Sequence, residues 1–177
     1  MGREFARPGG EASADTGRPR RAAILHGMKL PESVLVLIHS PQREVLLLER
    51  NDASRGWQSV TGSRASPAEP LRDTARREVA EETGIVIGSA AVPADRLLDL
   101  GRQHVYEILP AWAHRYAPGV THNTEHVFTL EVDRGTPVRL SSHEHLRFEW
   151  LPWRDAAARC FSRTNAAAIL DFGSSPR

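Results

Sequence analysis

The run Gly62-Ser-Arg-Ala-Ser-Pro-Ala-Glu69-Pro-Leu-Arg-Asp-Thr-Ala-Arg-Arg77-Glu78-Val-Ala-Glu81-Glu82-Thr-Gly84-Ile85 decides the fold. Gly62 to Glu69 is rich in Gly, Ser and Pro and reads as a loop. Pro70 suits the first turn of a helix, where a backbone N–H has no partner. Gly84 suits its end. A helix is expected over about Pro70–Thr83. Ser66 and Glu69 have capping-box spacing, which leaves a start one turn earlier open. Leu71, Ala75, Val79 and Glu82 fall on one stripe, apolar at the start and acidic at the end. Glu78, Glu81 and Glu82 stand at i, i+3 and i+4, so they share a helix face. Like charges this close repel, and the helix dipole disfavours them near a C-terminus. A divalent cation removes that cost. Mg²⁺ takes carboxylate oxygens together with substrate phosphates, and it can polarise a phosphoryl oxygen and orient an attacking water. Taken alone, Arg76-Arg77-Glu78-Val79-Ala80-Glu81-Glu82 also reads as a solvated acidic face with internal ion pairs.

Outward from this run, Ser33–His39 is a strand candidate apolar on both faces. Ser40–Arg43 is a turn, and Glu44–Glu49 a second strand that can form a hairpin with the first. Trp57–Val60 is short and β-prone. Further strands are expected at His104–Leu109, His126–Val132 and Leu146–Leu151. A helical region follows over about Trp153–Phe172, broken near Ser162–Thr164. The economical fold is α+β, one mixed sheet with helices on its faces.

The chain has 177 residues, enough for one ordinary domain, with 40% apolar residues and 25% charged. A formal net charge of +1 argues against a polybasic nucleic-acid binder and leaves room for a local basic pocket. Cys160 is the single cysteine, so neither an internal disulfide nor a cysteine zinc site can form. It is expected as a buried thiol in a helix, in a cytoplasmic protein. No apolar run approaches the roughly 20 residues of a membrane span. Residues 1–27 scatter arginines among Gly, Pro, Ser and Ala, and read as a disordered extension before a domain at 28–173.

Gly62, Glu69, Arg77, Glu78, Val79, Glu81, Glu82, Gly84 and Ile85 together resemble the Nudix box, G-x5-E-x7-R-E-U-x-E-E-x-G-U, where U is bulky and aliphatic. From Glu69 onward the match is complete. The spacing from Gly62 to Glu69 is one residue long, which should alter loop shape and leave the carboxylate face intact. The resemblance implies an α/β/α sandwich with a mixed sheet, and hydrolysis of a phosphoric anhydride by water. It implies Glu78 and Glu82 as metal ligands and Glu81 as a ligand or the base that activates water. It implies Arg77 as an ion-paired orienting group, with Glu69 its partner. Gly62 would allow close backbone approach.

Arg50–Ser63 and His114–Glu125 resemble the bacterial dihydroneopterin triphosphate pyrophosphatases of folate biosynthesis, as do Pro31–Ile38 and Glu144-His145-Leu146. This resemblance implies removal of pyrophosphate from 7,8-dihydroneopterin triphosphate, with Mg²⁺ or Mn²⁺ as the metal and Glu144 as a further ligand. Lys29, Arg50, Thr61, Glu107 and Ser162 are the expected substrate-binding residues. Lys29 and Arg50 suit phosphate oxygens. Trp57 suits either a stacking partner or a core position. Gly119 with Asn123 reads as turn chemistry, and Asn165 matches the pattern loosely. His143 and His145 flank Glu144, but alternation in an extended chain sends neighbours to opposite sides and disfavours a zinc site.

Two other readings stay open: a broader (deoxy)nucleoside triphosphate pyrophosphohydrolase, and a non-catalytic nucleotide-binding Nudix module. The intact carboxylate set disfavours the second. A dedicated RNA surface is disfavoured by the near-neutral charge. The expected partner is a small-molecule triphosphate, with no membrane.

Overall fold

The computed structural model describes residues 27–52 and 54–175; the extension expected over 1–27 lies outside them except for Gly27. Strand β1 (Glu32–His39) is the centre of the sheet, and every residue after Glu32 is buried. It runs parallel to β6 (His122–Glu131), from Glu32 opposite Thr124 to His39 opposite Glu131. Its other edge is shared. Residues 33–36 pair antiparallel with β4 (Val60–Ser63), and His39 pairs with Val45 of β2 (Glu44–Arg50). The expected hairpin therefore exists only at its closed end. β2 instead pairs along its length with β7 (His145–Pro152) and briefly with β3 (Trp57–Gln58). β5 (Leu97–Glu107) pairs antiparallel with β6 and completes a seven-stranded mixed sheet.

The continuous apolar run of β1 follows from burial on both faces. Val34, Val36 and Ile38 join Leu46, Leu48, Ala75 and Val79 in the core beneath α1 (Leu71–Thr83). Leu35 and Leu37 join Val45, Leu47, Ala156, Ala157, Ala168 and Ile169 on the opposite face. That face is covered by α3 (Trp153–Arg159) and α4 (Arg163–Ser174). The period of two sends alternate β1 side chains to the two cores, and the result is the α/β/α sandwich.

Several boundaries differ from expectation. Helix α1 starts at Leu71 with Pro70 as its N-cap, so the earlier start is not taken; Glu69 spends its carboxylate on Arg77 and the Ala65 N–H. Gly84 ends it in the left-handed conformation at φ 70°. β5 begins at Leu97, not His104, and carries a bulge between Asp99 and Arg102 with Gly101 at φ 61°. β6 begins at His122, not His126, so Asn123 is a buried strand residue and not part of a turn. In both strands a weakly β-prone polar half is recruited by pairing, since strand preference depends strongly on context. The late helices break at Cys160–Ser162. Cys160 is the C-cap of α3 rather than a helical residue, half-buried, and burial pushes its thiol up to about 12. The Ser162 side chain accepts the Asn165 N–H and starts α4.

Candidate active site

Helix α1 presents its carboxylates toward the β1–β4 edge, and Arg77 organises them. Its Nε donates to Glu69 Oε1 at 2.9 Å, and its Nη1 to Glu78 Oε1 at 2.6 Å and Glu81 Oε2 at 3.1 Å. Its Nη2 reaches Glu69 Oε2 at 3.2 Å and the Ser63 carbonyl at 2.9 Å, tying the helix to β4. The Arg77 hydrogen bonds hold the Glu69 carboxyl down at about 2, so this anchor stays charged. The long loop before the helix is held by its own hydrogen bonds. Arg64 donates to the carbonyls of Glu69 and Pro67, and the Glu69 N–H returns to Ser66.

Glu78 is the point of closest approach. A side chain on Gly62 would put its Cβ 1.7 Å from the Glu78 carboxyl carbon, so only glycine fits opposite it. Burial pushes the Glu78 carboxyl up to about 7 despite its Arg77 partner, with Glu82 and Glu81 adding to the rise. Glu82 is 3% exposed. Its Oε1 accepts the Thr61 N–H at 3.3 Å, and its Oε2 lies 2.8 Å from His145 Nε2. Burial raises its pKa and His145 opposes the rise. Glu81 has the most open of these side chains, at 56% exposure.

Glu144 stands in the turn before β7, and Glu82, Glu144 and His145 bring one ligand atom each within 4.8 Å of one another. Strand alternation does not govern the pair Glu144 and His145. Glu144 belongs to a turn and not to the extended strand, so it and His145 converge. His145 is the residue the sequence reading passed over. The signal available was its place as the first residue of a strand, directly after the acidic turn.

Beside the carboxylates lies a cavity of about 390 Å³, and Lys29, Arg50, Thr61, Glu107 and Ser162 all line it. Lys29 donates its N–H to the Arg115 carbonyl at 2.7 Å. Burial lowers its ammonium pKa; Arg115 and Arg50 lower it further, while Glu78 and Glu144 support the charge. Arg50 bonds Gln58 Oε1 at 3.0 Å and lies 5.5 Å from the Trp112 ring centroid. Glu107 is exposed at the rim. Trp57 is core, packed with Val127 and Ile169 and absent from the lining, whereas Trp112 of the short helix α2 (Pro110–Ala113) forms a wall. The sequence reading also missed Glu125, Tyr106 and Thr164, which line the cavity from β6, β5 and α4.

A sandwich of this topology with Arg77, Glu78, Glu81 and Glu82 on its first long helix defines the Nudix class, and the chain belongs to that family. The NUDIX domain model matches residues 29–172. The dihydroneopterin triphosphate diphosphatase of Escherichia coli (strain K12) is 39% identical over 145 residues, covering 81% of this chain and 93% of that protein. The protein of the same name from Haemophilus influenzae is 37% identical over 152 residues, covering 85% of this chain and 92% of that one. The solved structure of the E. coli dihydroneopterin triphosphate pyrophosphohydrolase matches with a TM-score of 0.73 at 39% identity, covering 82% of this chain and 96% of that one. The chain is a Nudix hydrolase acting on phosphoric anhydride bonds. Among the described residues, no helix is long and apolar enough to cross a membrane.

Proposed function

We propose that this enzyme hydrolyses 7,8-dihydroneopterin triphosphate to the monophosphate and pyrophosphate, in the cytoplasm and within folate biosynthesis. The observation that carries this reading is the cavity itself. It brings the cations Lys29 and Arg50 together with the polar groups of Tyr106, Glu125 and Thr164 in one space of about 390 Å³. The names and coverage of the E. coli and H. influenzae relatives support the same substrate.

The donor chemistry fits a hard divalent cation, Mg²⁺ or Mn²⁺. Glu78 and Glu82 are carboxyls driven upward by burial and by like charge, a state that a cation reverses. Glu78, Glu82 and Glu144 would hold it, with His145 fixing the Glu82 carboxylate. Bound there, it would neutralise the polyphosphate and stabilise the departing pyrophosphate. Lys29 and Arg50 bind phosphate oxygens, and the Thr61–Gly62 backbone admits them close to Glu78. Glu81, open to solvent and steadied by Arg77, takes the proton of the attacking water. The new P–O bond forms as the anhydride bridge to the pyrophosphate breaks. Residues 28–173 suffice for this activity.

Pyrophosphate release from 7,8-dihydroneopterin triphosphate, with and without Mg²⁺ and beside dATP at equal concentration, tests the proposal. Fast, metal-dependent release favouring the pterin supports it. Release favouring dATP keeps the chemistry and removes the pathway.

A further inference from the structure

The cavity lining carries both signs of charge. Lys29, Arg50, Arg115 and Arg163 line it together with Glu107 and Glu125. Glu125 of β6 does so while only 5% exposed. β6 alternates inward positions at Asn123, Glu125 and Val127, so a carboxylate occupies a place the fold reserves for buried groups. Among the described residues it has no Lys or Arg partner. Its Oε2 accepts the Thr164 hydroxyl at 3.2 Å and lies 4.0 Å from His104 Nδ1. Its Oε1 accepts no hydrogen bond from the described residues. Burial alone drives this carboxyl up to about 7, and none of the cavity's cations offsets it. A buried carboxylate without such compensation is costly unless donors arrive from elsewhere.

Resting on the substrate reading above, we propose that Glu125 recognises the ring. Its carboxylate accepts two parallel N–H groups from the amino-pyrimidinone edge that pterins and guanine share, one from the ring nitrogen and one from the 2-amino group. That edge is a neutral counterpart of the guanidinium fork, and it suits a carboxylate in the same two-point way. Adenine offers an amino group beside a bare ring nitrogen, whose lone pair would face the second oxygen. A ligand that carries both phosphates and this donor pair complements the cavity's cations and Glu125 at once. Thr164 holds Oε2 in place from the start of α4.

The test compares GTP with ITP, which differ by the 2-amino group alone, on the wild type and on Glu125→Gln. The wild type should favour GTP in kcat/KM by about tenfold or more, the scale of a hydrogen bond to a charged acceptor. In Glu125→Gln that ratio should collapse to near one. Neopterin, which carries the edge and no phosphate, should quench on binding the wild type and bind the variant at least tenfold more weakly. An unchanged GTP/ITP ratio, or equal losses on both nucleotides, overturns the assignment. Should Glu125→Gln melt early, Glu125→Asp, which withdraws the carboxylate by one methylene, is read by the same ratio. A wild type that prefers nucleotides to the pterin would defeat the substrate reading, yet the ratio would still report on Glu125.

Discussion

The two ends of the site are built by different means. The acidic end lies beside the cavity and comes from one helix. Glu78, Glu81 and Glu82 sit at i, i+3 and i+4, and Arg77 beside them reaches Glu69, Glu78 and Glu81. The ring end comes from β5, β6 and α4, with Tyr106, Glu125 and Thr164 brought together across the chain. A site carried on one helix face is set by local spacing, so its geometry follows once the helix forms. A site assembled from three elements exists only in the folded sheet. The comparison predicts that damage at the acidic end stops chemistry on every substrate, while damage at the ring end changes which substrate is chosen.

The largest effect is expected of Glu81→Gln. The variant should fold normally and lose roughly 10²- to 10⁴-fold in kcat on pterin and nucleotide triphosphates alike, the range for removing a general base. A loss confined to one substrate would dissolve the division between the two ends. Gly62→Ala comes next. Its Cβ would overlap the Glu78 carboxyl group, so the loop or the carboxylate must shift. A displacement of that order costs about 10²-fold in rate, and a raised metal requirement should accompany it. Normal turnover with an unchanged Mg²⁺ titration would show that Glu78 can move away harmlessly.

Much of the acidic end was legible before the fold, because the helix period alone groups its glutamates. Arg77 and Glu69 were also paired correctly in advance. The ring end was not legible, and Glu125 shows why. Lying just before the strand expected at His126–Val132, it offered no periodicity, since His122-Asn-Thr-Glu125 has little strand preference of its own. Pairing with β1 and β5 extends the strand backward by four residues and turns Asn123 and Glu125 inward. Exposed Glu107 at the rim was chosen while buried Glu125 was passed over. His145 was set aside for a related reason, a strand rule applied to a turn.

Two tryptophans should show smaller and opposite effects. Trp112→Ala removes a cavity wall and the ring beside Arg50, and should raise KM roughly fivefold to tenfold, the scale of a partly exposed cation–π contact. Its melting temperature should hardly move. Trp57→Ala should do the reverse. The ring is 6% exposed in the core under α3 and α4, so its loss costs about 3 kcal/mol of stability while KM stays near the wild-type value. A melting curve beside a substrate titration separates the pair, and a Trp57 variant that is stable with a raised KM would move that residue to the cavity.

The smallest expected effect is none. Every group assigned to either end lies between Lys29 and Asn165. Lys29 is fixed by the Arg115 carbonyl and by its pairing with Tyr116, not by its distance from the chain's start. An enzyme beginning at Met28 should therefore keep kcat/KM within about twofold on pterin and nucleotide triphosphates, because no contact among the described residues that orders either site is removed. The outcome also discriminates between the ends. A truncated enzyme with equal losses on all substrates would tie residues 1–27 to the phosphate end through the neighbouring Lys29. A shifted substrate ratio at unchanged kcat would tie them to the ring end, and either result would require a site larger than the cavity described.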